Sequence, residues 1–148
     1  MNNSKAFESG IKKAVAIKNM IVEKSLIELC EAALDKAVES HTFQNRTHNL
    51  EDSFTYGIFH NGALIKSKSV GSGEGSEDAK NFLATYTSKH SWSAVIVAGA
   101  WYGSLLENFT STGWGKAWNS GGGRFIVLSD CFDFVVMENK KFFKRNKI

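Results

Sequence analysis

An Asn-Gly pair at positions 61–62, set between two apolar runs, constrains the fold more than any other feature of the chain. Both central residues of a tight hairpin turn need positive φ, and Asn-Gly adopts it at the least cost. The run before it, residues 53–60 (SFTYGIFH), is rich in Phe, Thr, Tyr and Ile, as a strand would be. The run after it, residues 63–70 (ALIKSKSV), sets Leu64, Lys66 and Lys68 against Ile65, Ser67 and Ser69. Such alternation predicts an antiparallel strand with one wet face. A turn-rich stretch, Arg46-Thr47-His48-Asn49-Leu50, leads into this hairpin from a long helical segment.

That segment covers residues 11–39. Ile11, Val15, Val22, Leu26, Leu29, Ala33 and Ala37 recur at spacings of three, four and seven, and Ile17, Met20, Ile21 and Ile27 widen the stripe. Ser9 is placed to cap its first turn. A stripe this broad suggests that one side packs on a sheet and another meets a neighbouring subunit. Past the hairpin, residues 71–76 (GSGEGS) read as a flexible loop and residues 77–89 as a helix with Ala79, Phe82, Leu83 and Tyr86 on one side. Residues 92–98 (WSAVIVA) read as a central strand, and residues 99–107 as the start of a short helix. Residues 108–123 read as a long glycine loop carrying Trp114 and Trp118. Residues 124–129 (RFIVLS) read as a further strand. The segment from Asp130 fits a strand or a helix, and a helix begun by Ser129 or Asp130 is favoured, with Phe134, Met137 and Lys141 on successive turns. The expected fold is α+β: a long N-terminal helix packed on a mostly antiparallel sheet of about four strands, with one or two further helices.

At 148 residues, 43% hydrophobic and 22% charged, the chain is expected to form one domain, residues 1–148, with a real core. It contains no proline, so its breaks must come from Gly, Asn, Ser or local charge. The net charge of +3 is uneven: Lys140, Lys141, Lys144, Arg145 and Lys147 give residues 140–148 a charge of +5, leaving −2 for the rest. This basic tail reads either as cations complementing a helix C-terminus or as a contact for DNA or an acidic partner. Cys30 and Cys131 sit among apolar neighbours and read as buried thiols, with a disulfide left open. No apolar run approaches the ~20 residues of a membrane span, and the first ten residues lack a signal-peptide core. Synthesis in the cytoplasm is therefore expected, with no membrane partner.

Catalytic and cofactor chemistry finds little support. A phosphate loop needs Lys-Ser/Thr after its glycines, whereas Gly75 leads into Ser76-Glu77-Asp78. His41, His48, His60 and His90 are scattered, without metal-ligand spacing. Cys131 lies beside Asp130 and Asp133, which would raise a thiol pKa, and Ser104 lacks a nucleophile elbow. The expectation is no enzyme, no metal and no cofactor. A nucleic-acid-binding module is the alternative, with Trp101, Tyr102, Trp114 and Trp118 stacking on bases beside the basic tail. These aromatics fit a subunit interface better, because they cover much area at small entropy cost.

Three segments resemble the head–tail joining proteins of tailed bacteriophages, a family of neck, tail-completion and minor tail components. NRTHNLEDSFTYGIF at 45–59 is similar to the family's R-T-G-N-L-x-x-S-(I/F)-x-Y. FHNGALI at 59–65 matches its hairpin. VIVAGAWYGSLLE at 95–107 is similar to its apolar strand followed by A-G-x-x-Y-A-x-Y-V-E. His48 stands where the family has glycine, Gly103 where it has alanine and Leu105 where it has an aromatic, and residues 108–123 have no counterpart. The resemblance implies a structural virion protein without catalysis, made in the host bacterial cytoplasm and placed in the neck or tail. It implies a homo-oligomeric ring around the DNA channel, touching portal, adaptor or tail proteins. On that reading Phe54, Tyr56, Phe59, Asn61, Gly62, Trp101, Tyr102, Trp114 and Trp118 are subunit-interface residues. Lys140, Lys141, Lys144, Arg145 and Lys147 would face either DNA in the channel or an acidic patch on the adjoining ring.

Overall fold

The computed structural model describes residues 3–40, 48–100 and 128–146. Its elements are α1 (Asn3–Ser40), α2 (Asn49–Asp52), β1 (Phe54–His60), β2 (Ala63–Ser69), α3 (Glu74–Thr85), β3 (Trp92–Ala98) and α4 (Ser129–Asn146). The α+β class is as the sequence predicts. The three described strands form one antiparallel sheet in the order β2-β1-β3. Residues 101–127, with most of the expected short helix, the glycine loop and most of the expected fourth strand, lie outside the described residues, and Ser129 opens α4 as the favoured helix has it.

The hairpin turn is as expected. Asn61 has φ 50° and Gly62 φ 83°, and the Asn61 N–H donates to the Ser91 carbonyl at 2.8 Å. The register shifts between Ile58 and Phe59, where Ile65 of β2 is left without a partner, and this bulge bends β2 against β1.

β1 is the centre of the molecule. Phe54, Tyr56 and Ile58 face α1 and join Cys30, Ala33, Leu34 and Ala37 in the core, with Phe134 and Val135 of α4 packed against it. The alternate residues face α3: Gly57 lies under Leu83, and Phe59 meets the edge of the Tyr86 ring at 5.2 Å. Helices on both faces leave β1 without a wet side, so its apolar run is nearly unbroken. β2 is exposed along almost its whole length, and its lysines deter pairing with stray strands.

α2 is a one-turn knot that ties four elements together. The Asn49 side-chain oxygen accepts the Gly75 N–H at 3.2 Å, capping α3 from a distance. The Ser53 hydroxyl donates to the Leu50 carbonyl at 2.6 Å and accepts the Ala100 N–H at 3.2 Å. The Ser76 hydroxyl donates to the Asp52 carbonyl at 2.7 Å and the Gly71 carbonyl at 3.1 Å. His48, just before the knot, is left-handed at φ 56°, a conformation that glycine adopts without strain.

Several expectations are corrected. The first helix begins at Asn3, so Ser9 lies inside it and caps nothing. α3 begins at Glu74 and ends at Thr85, so half of the expected flexible loop is helical. Gly75 and Ser76 are buried because the absence of a Cβ at position 75 lets the helix start press against Ser53.

Cys30 and Cys131 are free and buried, on α1 and α4. Burial pushes Cys30 up to about 12 and Cys131 up to about 11. Burial, then the charge of Glu31, pushes the Tyr56 hydroxyl up to about 12. In the unfolded chain these groups ionise at lower pH than in the fold. Their contribution is therefore complete below about pH 9 and is lost as pH rises from there towards 12. At pH 8 the folded thiols should react with Ellman's reagent roughly a thousandfold (Cys30) and a hundredfold (Cys131) more slowly than in urea. Rapid reaction of the folded protein would contradict the buried placement.

Candidate functional site: the projecting arm and the acid-rimmed groove

α1 has 38 residues, about 57 Å of helix, but only its C-terminal half is buried against the body. Residues 3–18 are exposed on every side, forming an arm. Its exposed side chains include Phe7 (70% exposed), Ile11, Val15 and Ile17, continuing into Met20 (69%) and Ile21. Large apolar groups this open, gathered on one element, mark an interaction surface.

The arm carries a second face that the expected stripe does not describe. Val15 continues the core-facing side, and Ile11 stands about 90° from it. Ile17 and Ile21 stand roughly 150–170° around from the mean direction of Cys30, Ala33, Leu34 and Ala37, at about 100° per residue. Phe7, Gly10, Ala14, Ile17 and Ile21 follow one another at spacings of three and four, the seam of a helix that packs on another helix. Beyond Ile21 the same seam carries Lys24, Glu28, Glu31 and Asp35. It turns from apolar to charged halfway along.

Charge divides at the same place. Residues 3–21 hold four lysines and one glutamate, net +3, and residues 22–40 hold five acids and two lysines, net −3. This polarity opposes the helix dipole, which favours acids at the start and bases at the end, and α1 has neither there.

The acidic half borders an open groove of about 460 Å³ between α1 and β2. Leu34, Val38 and Val70 supply apolar lining, and Glu31, Asp35 and Glu39 rise from α1 one helical turn apart. Glu31 is the anchored member. Its carboxylate accepts the Lys68 ammonium at 3.0 Å and the Tyr56 hydroxyl at 3.4 Å. The hydrogen bond from Lys68, and then its charge, hold Glu31 below its ordinary value.

The residues assigned to subunit contact fare unevenly. Phe54, Tyr56 and Phe59 are 0% exposed in the folded chain, because β1 is sandwiched between α1 and α3. They present no surface to a neighbour, which corrects their assignment. Asn61 and Gly62, at the hairpin tip, reach the surface, beside a stacked His60–Trp92 pair with ring centres 4.1 Å apart. Trp101, Tyr102, Trp114 and Trp118 lie outside the described residues. The basic tail, as far as Asn146, is the end of α4, with Lys140, Lys141, Lys144 and Arg145 exposed and Lys147 outside the described residues. Lys144 and Arg145 fall in the last turn, where cations complement the dipole.

Sequence reasoning missed the groove and the polarity of the arm. The signal was present in the order of the charges along α1, which a face-by-face reading of the helix averages away.

Among the described residues no group of three His, Cys, Asp or Glu side chains is placed to hold a metal ion. No described helix is long and apolar enough to cross a membrane. Compared with family models, with curated proteins and with solved structures, the chain matches none.

Proposed function

We propose that this chain is a structural virion protein of a tailed bacteriophage. Its copies form part of a ring in the neck or tail connector, joining head to tail around the DNA channel, without bond-making chemistry. The arm of α1 is the observation that supports this reading most: a folded chain has little reason to hold Phe7 and Met20 in water unless a partner covers them. The resemblance of residues 45–59 and 95–107 to head–tail joining proteins supplies the kind of assembly. Head-to-tail contacts that close on themselves make such rings.

Mass spectrometry of purified particles of the encoding phage tests the proposal. The expected result is this chain at a small fixed copy number, retained after DNA release. Its absence from particles would overturn the virion reading. The exposed cations at the end of α4 favour a second reading, DNA contact. Changing Lys140, Lys141, Lys144, Arg145 and Lys147 to Ser should then abolish salt-dependent DNA binding, and unchanged affinity removes that reading.

A further inference from the structure

We propose that the arm of one copy docks as a basic amphipathic helix into the acid-rimmed groove between α1 and β2 of the next copy. The proposal rests on the self-assembly reading and names its contact. Two surfaces are involved, and each supplies what the other lacks.

The arm presents an apolar seam, Phe7 to Ile21, with Lys13 and Lys18 on either side of it around the helix. The groove presents apolar lining, Leu34, Val38 and Val70, with Asp35 and Glu39 along its helical wall. An amphipathic helix in an apolar groove is a common recognition mode, read by anchors three and four residues apart. Ile17 and Ile21 are the anchors nearest the body, and Gly10 and Ala14 keep the seam thin enough for close approach.

Charge selects the occupant. Two arms laid against each other would match apolar seams but oppose +3 with +3. An arm in the groove meets the three carboxylates of Glu31, Asp35 and Glu39 against the single ammonium of Lys68, a lining of net −2. The contact is heterologous, since arm and groove are different surfaces, so each copy has one of each to offer.

Charge reversal in the full-length chain tests this, with sedimentation velocity as readout and circular dichroism as the check of folding. K13E/K18E and D35K/E39K change only exposed residues, and neither Asp35 nor Glu39 belongs to the Glu31–Lys68–Tyr56 contact. Each variant alone should associate at least about tenfold more weakly than the unaltered chain, as reversed charges across a contact do. An equimolar mixture should recover association, because one partner then carries an intact arm and the other an intact groove. Loss in the single variants with recovery in the mixture supports the docking.

If the unaltered chain assembles and the reversals leave it unchanged, the docking is overturned while self-assembly stands. Tighter association of K13E/K18E with itself would overturn it in favour of arm-on-arm pairing. An unaltered chain that stays monomeric at high concentration overturns both.

Discussion

Gly99→Ala is expected to destabilise the fold by about 3 kcal/mol or more, the upper part of the range for overpacked sites. A Cβ at position 99 would sit 2.0 Å from the Gly75 carbonyl oxygen, 2.5 Å from the Ala79 nitrogen and 2.8 Å from its Cβ. Two of those atoms are backbone, so no rotamer change makes room. The end of β3 must move away from the start of α3. That movement would pull on the knot, because the Gly99 N–H donates to the Ser53 carbonyl at 3.4 Å and the Ala100 N–H to the Ser53 hydroxyl. Position 75 is also tight, though less so, with Ser53 Cβ 2.7 Å from where a Cβ would lie. Stability of a domain this size is on the order of 5–15 kcal/mol, so the loss is a large share. The melting temperature should fall by at least about 6 °C. A fall under about 2 °C would mean that β3 and α3 do not approach as described.

Phe59→Ala should cost about 3–5 kcal/mol, whereas Phe7→Ala should change stability by less than about 0.5 kcal/mol. The two side chains are chemically the same, and only their places differ. Phe59 is fully buried on β1, its ring against Tyr86, so truncation leaves a cavity bounded by strand and helix. Phe7 is 70% exposed on the arm, with little packing to lose. Urea denaturation of both variants, at a concentration low enough to keep the chain monomeric, measures the contrast. Equal losses would show that the arm folds back on the body and that Phe7 belongs to the core.

The local features of this fold were legible because their causes are local. Asn61-Gly62 fixes its own turn, and the long helix follows from the three-and-four spacing of Val22, Leu26, Leu29 and Ala33. The features misread depend on what the chain meets far away in sequence. Phe54, Tyr56 and Phe59 look the same in sequence whether the hairpin faces a partner or lies between two helices. The strand order β2-β1-β3, which decides the matter, is set by a strand more than thirty residues downstream. Gly75 resembles a linker glycine until Ser53 and Gly99 are placed against it. Of the surfaces that bear on function, the apolar excess of the first helix was visible as an over-wide stripe. That the cationic half stands free while the acidic half is packed was not, because it depends on where the body ends.

Sedimentation velocity of the unaltered chain beside a Phe7→Ser/Ile17→Ser/Ile21→Ser variant measures the central claim most directly. The unaltered chain should sediment as assemblies larger than a monomer, in a concentration-dependent way, and the variant as a folded monomer. Identical sedimentation of the two, whether both monomeric or both assembled, would contradict the account that the arm of α1 exists to join one copy to the next.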